Sequence, residues 1–334
     1  MDAAVGLVDR SEPQLASSGG RRSSPLTWRW VDRLTLGFAW FAGIGLCAVA
    51  AAIVGYMAYR GIEYLRPSLL VQRPAVSTSQ SGSGGFLDPL IGTALLTLIG
   101  IVLAVPLAIG GALWIAEYGR PNWLARMVES SIEMVAGTPD IVIALFGLSI
   151  FQLGIFAPLS FKASGGGVFG KSFIAAGAMM SLIALPPMFT ATRDGLQAVP
   201  AHMREAAFAL GKTRIATIRS VLLPSVRSNI ATGVTLGISR IVGDTAIIVL
   251  LLGESLRLDP QGEIPGVGLL RGTGSTLTSY VYSNSPAGEG AAPQKAYAAA
   301  FVLLIFVLAL NLIVDRIGRS QADATGLTVA GAAV

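Results

Sequence analysis

Six apolar runs, each about as long as a helix that crosses a lipid bilayer, constrain this chain more than any other feature. Lipid offers no hydrogen-bond partners, so a spanning segment must satisfy its backbone N–H and C=O groups internally, which favours helices for runs of this length. We therefore predict an all-α polytopic integral membrane protein with six transmembrane helices, at residues 34–57, 90–116, 141–161, 173–192, 226–252 and 296–314.

Composition supports a membrane protein and excludes several other classes. Only 13% of the residues are charged, against about 25% in an ordinary soluble domain. This deficit, together with a mean hydropathy of +0.66, argues against a soluble globular protein and against a disordered one. The single cysteine, Cys47, excludes an internal disulfide framework, and the single histidine, His202, excludes a metal site built from several histidines.

The distribution of Lys and Arg predicts the orientation, because these residues accumulate in cytoplasmic loops. If the N-terminus lies inside, 15 of the 24 Lys and Arg residues fall in the inside segments and eight fall outside, with Arg240 within a span. We therefore predict that both termini are cytoplasmic. The same bias accounts for the net charge of +5 without a nucleic-acid partner.

The runs and loops divide the chain into five predicted segments. The first part is rich in Ser, Gly and charge, which is typical of disorder. Residues 124–135 place apolar side chains on one helical face, which indicates an interfacial amphipathic helix. The segments are a largely disordered cytoplasmic segment (1–33), the first membrane helix (34–57), an external loop (58–89), a five-helix core (90–315) with a cytoplasmic loop (193–225), and a cytoplasmic tail (316–334).

Residues 165–172 match the pattern G-x-x-x-x-G-K-[ST] of the loop that holds phosphates in NTPases. That loop works between a strand and a helix of an α/β sheet, whereas both neighbours here are predicted membrane spans. We interpret it as a chance match in an external turn of a chain with 40 glycines. An enzyme that uses this loop is the alternative, which nucleotide binding by the purified chain would test.

The fifth run carries two charges, Arg240 and Asp244, well inside the predicted span. A charge at the centre of a membrane helix costs about 2.5–3.5 kcal/mol on insertion scales, so such residues usually face protein or water. A spacing of four places both on one helical face, where they can pair. Gly233 and Gly237 lie on the same face and would permit another helix to approach closely.

Two interpretations of this charged face are open. A buried salt bridge between Arg240 and Asp244 would fix helix packing or hold a gate closed. Alternatively, the planar Arg240 guanidinium would bind a tetrahedral oxyanion, and Asp244 would accept a hydrogen bond from a protonated phosphate oxygen, which sulfate lacks. Weaker candidates for this path are Thr138, Pro139 and Asp140, because Pro139 can simply mark the start of the third span at the interface.

The loop between the fourth and fifth runs has an ordered pattern. Residues 205–210 are strong helix formers, Gly211 ends that helix, and Pro224 begins the next one. Apolar side chains of the loop project into the cytoplasm in the predicted topology. This pattern fits either the docking of a soluble partner or packing of the loop on its own bundle.

The same loop resembles the EAA loop of the permeases of bacterial ATP-binding cassette (ABC) importers. The resemblance rests on Glu-Ala-Ala at 205–207, Gly211, Val221 and Leu-Pro at 223–224, placed before the penultimate run. It implies the type I ABC importer permease fold, the bacterial inner membrane, and a transport subunit with no catalytic site of its own. It also implies that the ATP-binding subunit docks on Glu205, Ala206, Ala207, Gly211, Leu223 and Pro224.

Membership of such a family implies an assembly rather than a protein that works alone. The expected partners are a second homologous permease, two copies of a cytoplasmic ATP-binding subunit, an external substrate-binding protein and membrane lipid. ATP would be bound by the partner subunits, so we expect no cofactor and no metal in this chain.

Two further segments resemble the phosphate permeases within this family. Residues 137–142 (GTPDIV) resemble their Gly-x-Pro-Ser-Ile-Val segment, and residues 239–246 (SRIVGDTA) resemble their Arg-x-x-Gly-Glu-Thr-Ala segment. Sulfate and molybdate permeases tend to carry Gly-Glu-Phe-Gly there instead. Asp140 thus stands where Ser is common, and Asp244 where Glu is common.

The second resemblance implies that the substrate is inorganic phosphate, delivered by an external phosphate-binding protein. A permease for another oxyanion (sulfate, molybdate or phosphonate) is the first alternative, and a secondary transporter driven by an ion gradient is the second. The candidate residues of the substrate path are Arg240, Asp244, Thr245, Ser239 and Thr138.

Overall fold

The computed structural model describes residues 30–74, 84–119, 121–162, 167–253, 257–261, 265–286 and 292–324. Within these ranges the regular structure is helical, and the only β-type pairs are isolated bridges. The α-helices are α1 (Trp30–Tyr64), α2 (Pro67–Val71), α3 (Leu87–Leu113), α4 (Asn122–Gly137), α5 (Asp140–Phe151), α6 (Phe173–Ala198), α7 (Ala201–Ala209), α8 (Arg214–Thr217), α9 (Leu223–Gly243), α10 (Ala246–Leu252), α11 (Pro265–Arg271), α12 (Leu277–Asn284) and α13 (Pro293–Ala324).

The chain divides into two compact units, and the division falls within α1 between Gly55 and Tyr56. The helix α1 has 35 residues and is longer than the first predicted run. Of the predicted disordered segment, residues 1–29 lie outside the described residues, as do residues 75–83 of the predicted external loop and residues 163–166, where the NTPase-like match begins.

Four helical segments are long and apolar enough to cross a membrane: Asp32–Tyr64, Leu87–Tyr118, Phe173–Ala198 and Pro293–Gly318. Two further candidates are pairs of helices that bend at a short break. The α4–α5 pair bends by 109°, and the segment Arg214–Gly243 meets α10 at 60°. The described residues therefore contain up to six segments that are long and apolar enough to cross a membrane, if each bent pair counts as one. The expected all-helical membrane fold is confirmed.

The third predicted run, 141–161, is not a single helix. Helix α5 ends at Phe151, and a 3-10 helix follows at Gly154–Leu159. Pro158 lies inside that short helix and has no N–H to continue an α-helical ladder. The Ser160 hydroxyl donates to the Phe151 carbonyl at 2.6 Å. Composition alone missed this interruption, because most residues around the break, with the exception of Gln152, are apolar.

The fifth predicted run, 226–252, is also broken. Helix α9 ends at Gly243, and Asp244 adopts an extended backbone conformation. The Asp244 carboxylate accepts a hydrogen bond from the Ile247 N–H at 2.8 Å, which is how an aspartate satisfies the free donors at a helix start. Asp244 therefore ends one helix and begins α10, so Arg240 and Asp244 do not lie four residues apart on one continuous helix as predicted.

Helix α6 forms the centre of the second unit and packs against α3 and α9. Small residues allow the close approach: Gly177 faces Ile99 of α3, while Gly233 and Gly237 face Met188 of α6. A Cβ at Gly177 or Gly237 would overlap the facing side chain, and one at Gly233 would be in tight contact with α6, so the predicted stripe on α9 is a packing surface. This packing places the end of α9 beside α10, which in turn packs on α5.

Candidate functional site

The polar residues at the two helix breaks come together in space. Asp140 is the first residue of α5, directly after Pro139, and Arg240 lies in the last turn of α9. The Nη2 group of Arg240 donates to both carboxylate oxygens of Asp140, at 2.8 and 3.2 Å. The expected pairing of Arg240 with Asp244 is therefore replaced by an ion pair between residues one hundred positions apart.

An open cavity of about 410 Å³ lies at this ion pair. It collects four of the five residues predicted for the substrate path and adds Asp140, which the sequence indicated as a weaker candidate. Its lining consists of Asp140, Ser239, Arg240, Gly243, Asp244, Thr245 and Ala246.

The fifth predicted residue, Thr138, is placed differently. It ends α4, and its hydroxyl donates to the Met134 carbonyl of that helix at 2.7 Å. Thr138 does not line the cavity. It stands at the 109° bend between α4 and α5, two residues before Asp140.

The ion pair leaves much of the Arg240 guanidinium accessible. The Arg240 side chain is 50% exposed and that of Asp140 is 28% exposed. A guanidinium carries five N–H donors, and the contact with Asp140 uses only Nη2. The cavity thus offers one cation to an oxyanion. The two carboxylates beside it can only accept hydrogen bonds, so they bind an anion only where the anion carries an O–H group.

The loop between α6 and α9 has the helix–glycine–helix design that its sequence predicts. Helix α7 is followed by Gly211, whose φ of 74° is a conformation that glycine adopts without strain. The Thr213 hydroxyl accepts the Ala216 N–H at the start of α8. A π-helical turn at Ile218–Leu222 leads into α9, which has Pro224 in its first turn.

The six residues predicted for docking are not all on one surface. Glu205, Ala206 and Gly211 are exposed, Leu223 and Pro224 are half-buried at the start of α9, and Ala207 is buried. Next to them, the apolar side chains of Phe208 and Leu210 are also exposed, that of Leu210 to 80%. We call the exposed residues Glu205, Ala206, Phe208, Leu210 and Gly211 the α7 face.

Arg204 forms an ion pair that holds α7 in place and that was not predicted from the sequence. Arg204 donates from Nε to the Glu117 carboxylate at 2.9 Å, and from its two Nη groups to the Val199 and Leu196 carbonyls at 2.9 and 2.8 Å. The Glu117 side chain is only 9% exposed. The pair joins α7 to the end of α6 and to the π-helical turn Trp114–Tyr118 that follows α3.

A second arginine strengthens the same connection. Arg214 donates to the Glu117 carbonyl at 3.2 Å and places its guanidinium over the Tyr118 ring at 5.6 Å. The local sequence gave no sign of either contact, because Glu117 lies 87 residues before Arg204. The loop is therefore tied both to the segment after α3 and to the end of α6.

Replacing Arg204 with alanine is expected to destabilise the protein by about 3–5 kcal/mol, because the nearly buried Glu117 carboxylate would lose its charged partner. Glu117→Gln should cost less, since the amide oxygen still accepts from Nε. The apparent melting temperature of the purified protein in detergent measures both effects. Arg219→Ala, at an exposed position of the same loop, is the matched control. Equal melting temperatures for Arg204→Ala and Arg219→Ala would contradict the anchoring role.

The described residues of the NTPase-like match have a structural role. Gly170 adopts a φ of 72°, and the Ser172 hydroxyl caps α6 by accepting the Ala175 N–H at 3.0 Å. The same hydroxyl donates to the Leu159 carbonyl at 2.7 Å. Ser172 is therefore engaged in starting a helix, and the described residues around it contain no sheet of the kind a phosphate-binding loop needs.

Comparison with known proteins identifies the family. A family model described as "Binding-protein-dependent transport system inner membrane component" matches residues 98–323. The probable ABC transporter permease protein YqgI of Bacillus subtilis is 28% identical over 301 residues, covering 86% of this chain and 95% of that protein. The phosphate transport system permease protein PstA 1 of Mycobacterium tuberculosis is 33% identical over 232 residues, covering 69% of each chain.

The fold agrees with this result. A chain of a bacterial ABC transporter that imports the acidic polysaccharide alginate superposes with a TM-score of 0.58 at 13% identity, covering 88% of this chain and 99% of that one. The match to the family model contains both the cavity and the loop described above. The chain therefore belongs to the family of binding-protein-dependent transport system inner membrane components, and it is a permease subunit of an ABC importer without a catalytic site of its own.

Proposed function

We propose that this chain is the permease subunit of an ATP-driven importer of inorganic phosphate. The observation that carries the proposal is the cavity where Arg240 meets Asp140 and Asp244 at the breaks of two helices. Charged side chains in membrane segments are costly and usually mark an ion or substrate path. Broken helices are a common way of building such a site in transporters, because their exposed backbone ends then line a cavity.

In this proposal Arg240 binds the anion. Its guanidinium donates to the ionised phosphate oxygens, which are arranged so that two parallel hydrogen bonds can form. Asp244 is held in place by the Ile247 N–H and accepts a hydrogen bond from a protonated phosphate oxygen. Ser239 and Thr245 line the same cavity and supply hydroxyl groups for the remaining oxygens. The phosphate permease among the relatives supports this choice of substrate.

The proposal assigns coupling to the loop between α6 and α9. Two cytoplasmic ATP-binding subunits would dock on this loop and on that of a second homologous permease, and an external phosphate-binding protein would deliver the substrate. The exposed α7 face supplies the docking surface, and the contacts of Arg204 with Glu117 carry the motion to α3 and α6. ATP is bound by those subunits, and this chain contributes half of the translocation path.

A permease for another oxyanion is the second candidate. The reason to test it is that Asp140 stands where the phosphate permeases commonly carry Ser. Sulfate, molybdate and phosphonate are the anions to compare. A secondary transporter driven by an ion gradient is set aside, since the chain belongs to a family of ABC importer subunits.

Uptake of labelled phosphate at low external concentration tests the proposal. The cells should lack other phosphate importers, and the energy source should be varied by depleting ATP while the membrane potential is held. We expect uptake to disappear when this chain is deleted, to return when it is restored, to stop when ATP is depleted, and to resist excess sulfate. Uptake of sulfate, molybdate or phosphonate but not phosphate by the restored cells would contradict phosphate as the substrate.

A further inference from the structure

Asp140 is paired with the Arg240 guanidinium in this structure. Both of its carboxylate oxygens lie within hydrogen-bonding distance of Nη2, at 2.8 and 3.2 Å. A carboxylate in this position satisfies donors that would otherwise bind the oxygens of an oxyanion. An anion that enters the cavity can therefore make the same contacts only after Asp140 has moved away from Arg240.

The charges that line the cavity are one guanidinium and two carboxylates, those of Arg240, Asp140 and Asp244. A fully ionised dianion would face both carboxylates with a single guanidinium to offset them. An anion that carries O–H groups can instead donate to the carboxylates, so that the same charges become favourable partners.

We propose that Asp140 is a specificity-determining residue of this cavity. It is the resident counter-ion of Arg240 that an incoming anion displaces, and after displacement it accepts, together with Asp244, hydrogen bonds from protonated oxygens of the anion. The cavity then selects oxyanions that carry O–H groups at neutral pH, such as phosphate and phosphonates, over fully ionised sulfate and molybdate. The inference rests on the proposed function and adds the side chain that rejects the competing anions.

A serine at this position would select less strongly. Its hydroxyl can donate as well as accept, so it tolerates an anion with or without O–H groups. A carboxylate can only accept, and a buried or half-buried acceptor that faces an ionised oxygen is left unpaired. Rejection of an analogue that lacks a required O–H group is usually stronger than discrimination by shape alone.

The test compares the parent chain with Asp140→Asn and Asp140→Ser in cells whose only phosphate importer contains this chain. Two quantities are measured, the KM for labelled phosphate and the inhibition constant of sulfate. We expect the inhibition constant of sulfate to fall at least tenfold in both variants, because the new side chains can donate to ionised oxygens and Arg240 loses its counter-ion. Glu133→Gln, a similar change of carboxylate to amide at an exposed position of α4, should leave both quantities at the parental values.

The outcomes separate this inference from the proposed function. Normal phosphate uptake by the parent and the variants, with an unchanged inhibition constant of sulfate, would overturn the role of Asp140 and leave the phosphate importer intact. Absence of phosphate uptake in parent cells that do contain the assembled complex would overturn the proposed function itself. If Asp140→Asn does not reach the membrane, Asp140→Ser decides the question alone, and accumulation of labelled sulfate by that variant provides the second readout.

Discussion

Phosphate uptake is expected to fall at least tenfold when Arg240 is replaced by glutamine, while the complex still assembles in the membrane. Hydrogen bonds to a charged group contribute about 1.5–3 kcal/mol, and each 1.4 kcal/mol corresponds to a factor of about ten in binding. The glutamine amide keeps some hydrogen-bonding capacity but loses the charge and the planar fork. Initial rates of labelled phosphate uptake, normalised to the amount of chain in the membrane, measure the loss.

The control for this substitution is Arg126→Gln, which makes the same chemical change at an exposed position of α4, outside the coupling loop. It should transport at the parental rate. Arg240→Lys should show an intermediate rate, since it retains the charge without the fork. Parental uptake by Arg240→Gln would exclude Arg240 from the anion path.

A double variant distinguishes the two roles open to Arg240. If this residue serves only to neutralise Asp140 across the helix break, then Arg240→Gln combined with Asp140→Asn removes both members of the ion pair, and uptake should recover. If Arg240 binds the anion, the double variant stays as inactive as the single one, because the anion still lacks its cation. We expect the second result, since half of the Arg240 side chain remains exposed although it is paired.

Replacing Glu205 with lysine is expected to abolish uptake by separating this chain from the ATP-binding subunits. Glu205 is exposed on the α7 face next to the apolar side chains of Phe208 and Leu210. Reversal of a charge at such a surface commonly costs several kcal/mol through repulsion of like charges. Both labelled phosphate uptake and co-purification of the ATP-binding subunit should be lost together.

The matched control is Glu133→Lys, the same reversal at an exposed position of α4 outside the predicted docking segment. This variant should retain both the ATP-binding subunit and its transport. Co-purification at parental yield together with lost uptake in Glu205→Lys would instead place Glu205 in a step after docking. Normal uptake by Glu205→Lys would remove it from coupling altogether.

Much of the coupling loop could be predicted because its features are local. Gly211 is expected to end a helix because glycine adopts a positive φ without strain. Pro224 is expected near the start of one because the N–H that proline lacks would have no partner in the first helical turn. The structure confirms the helix end before Gly211, whereas the helical segment that contains Pro224 already begins at Arg214 and reaches α9 through a π-helical turn. The anchoring of the loop could not be predicted in the same way, because Glu117 and Arg204 meet only when α3 and α6 pack side by side.

The anion cavity, too, could be predicted only in part from the sequence. The sequence placed Arg240 and Asp244 within an apolar run and so identified an uncommon charged site, since the cost of burying charge in lipid applies wherever the run is inserted. The spacing of four residues also suggested that Arg240 and Asp244 pair with each other, an inference that requires a continuous helix. The helix ends at Gly243 instead, because the Asp244 carboxylate binds the Ile247 N–H and starts α10.

The sequence alone determined that this chain is an all-helical membrane protein with an ordered loop between its fourth and fifth runs. Those properties depend on apolar length, turn residues and helix propensity, which act over a few neighbouring positions. Only the tertiary structure decided that Asp140, one hundred residues away, is the partner of Arg240. Ion pairing requires two side chains to lie within a few ångströms of each other, and the bends at two helix breaks and the packing of α5 on α10 determine which carboxylate reaches that distance.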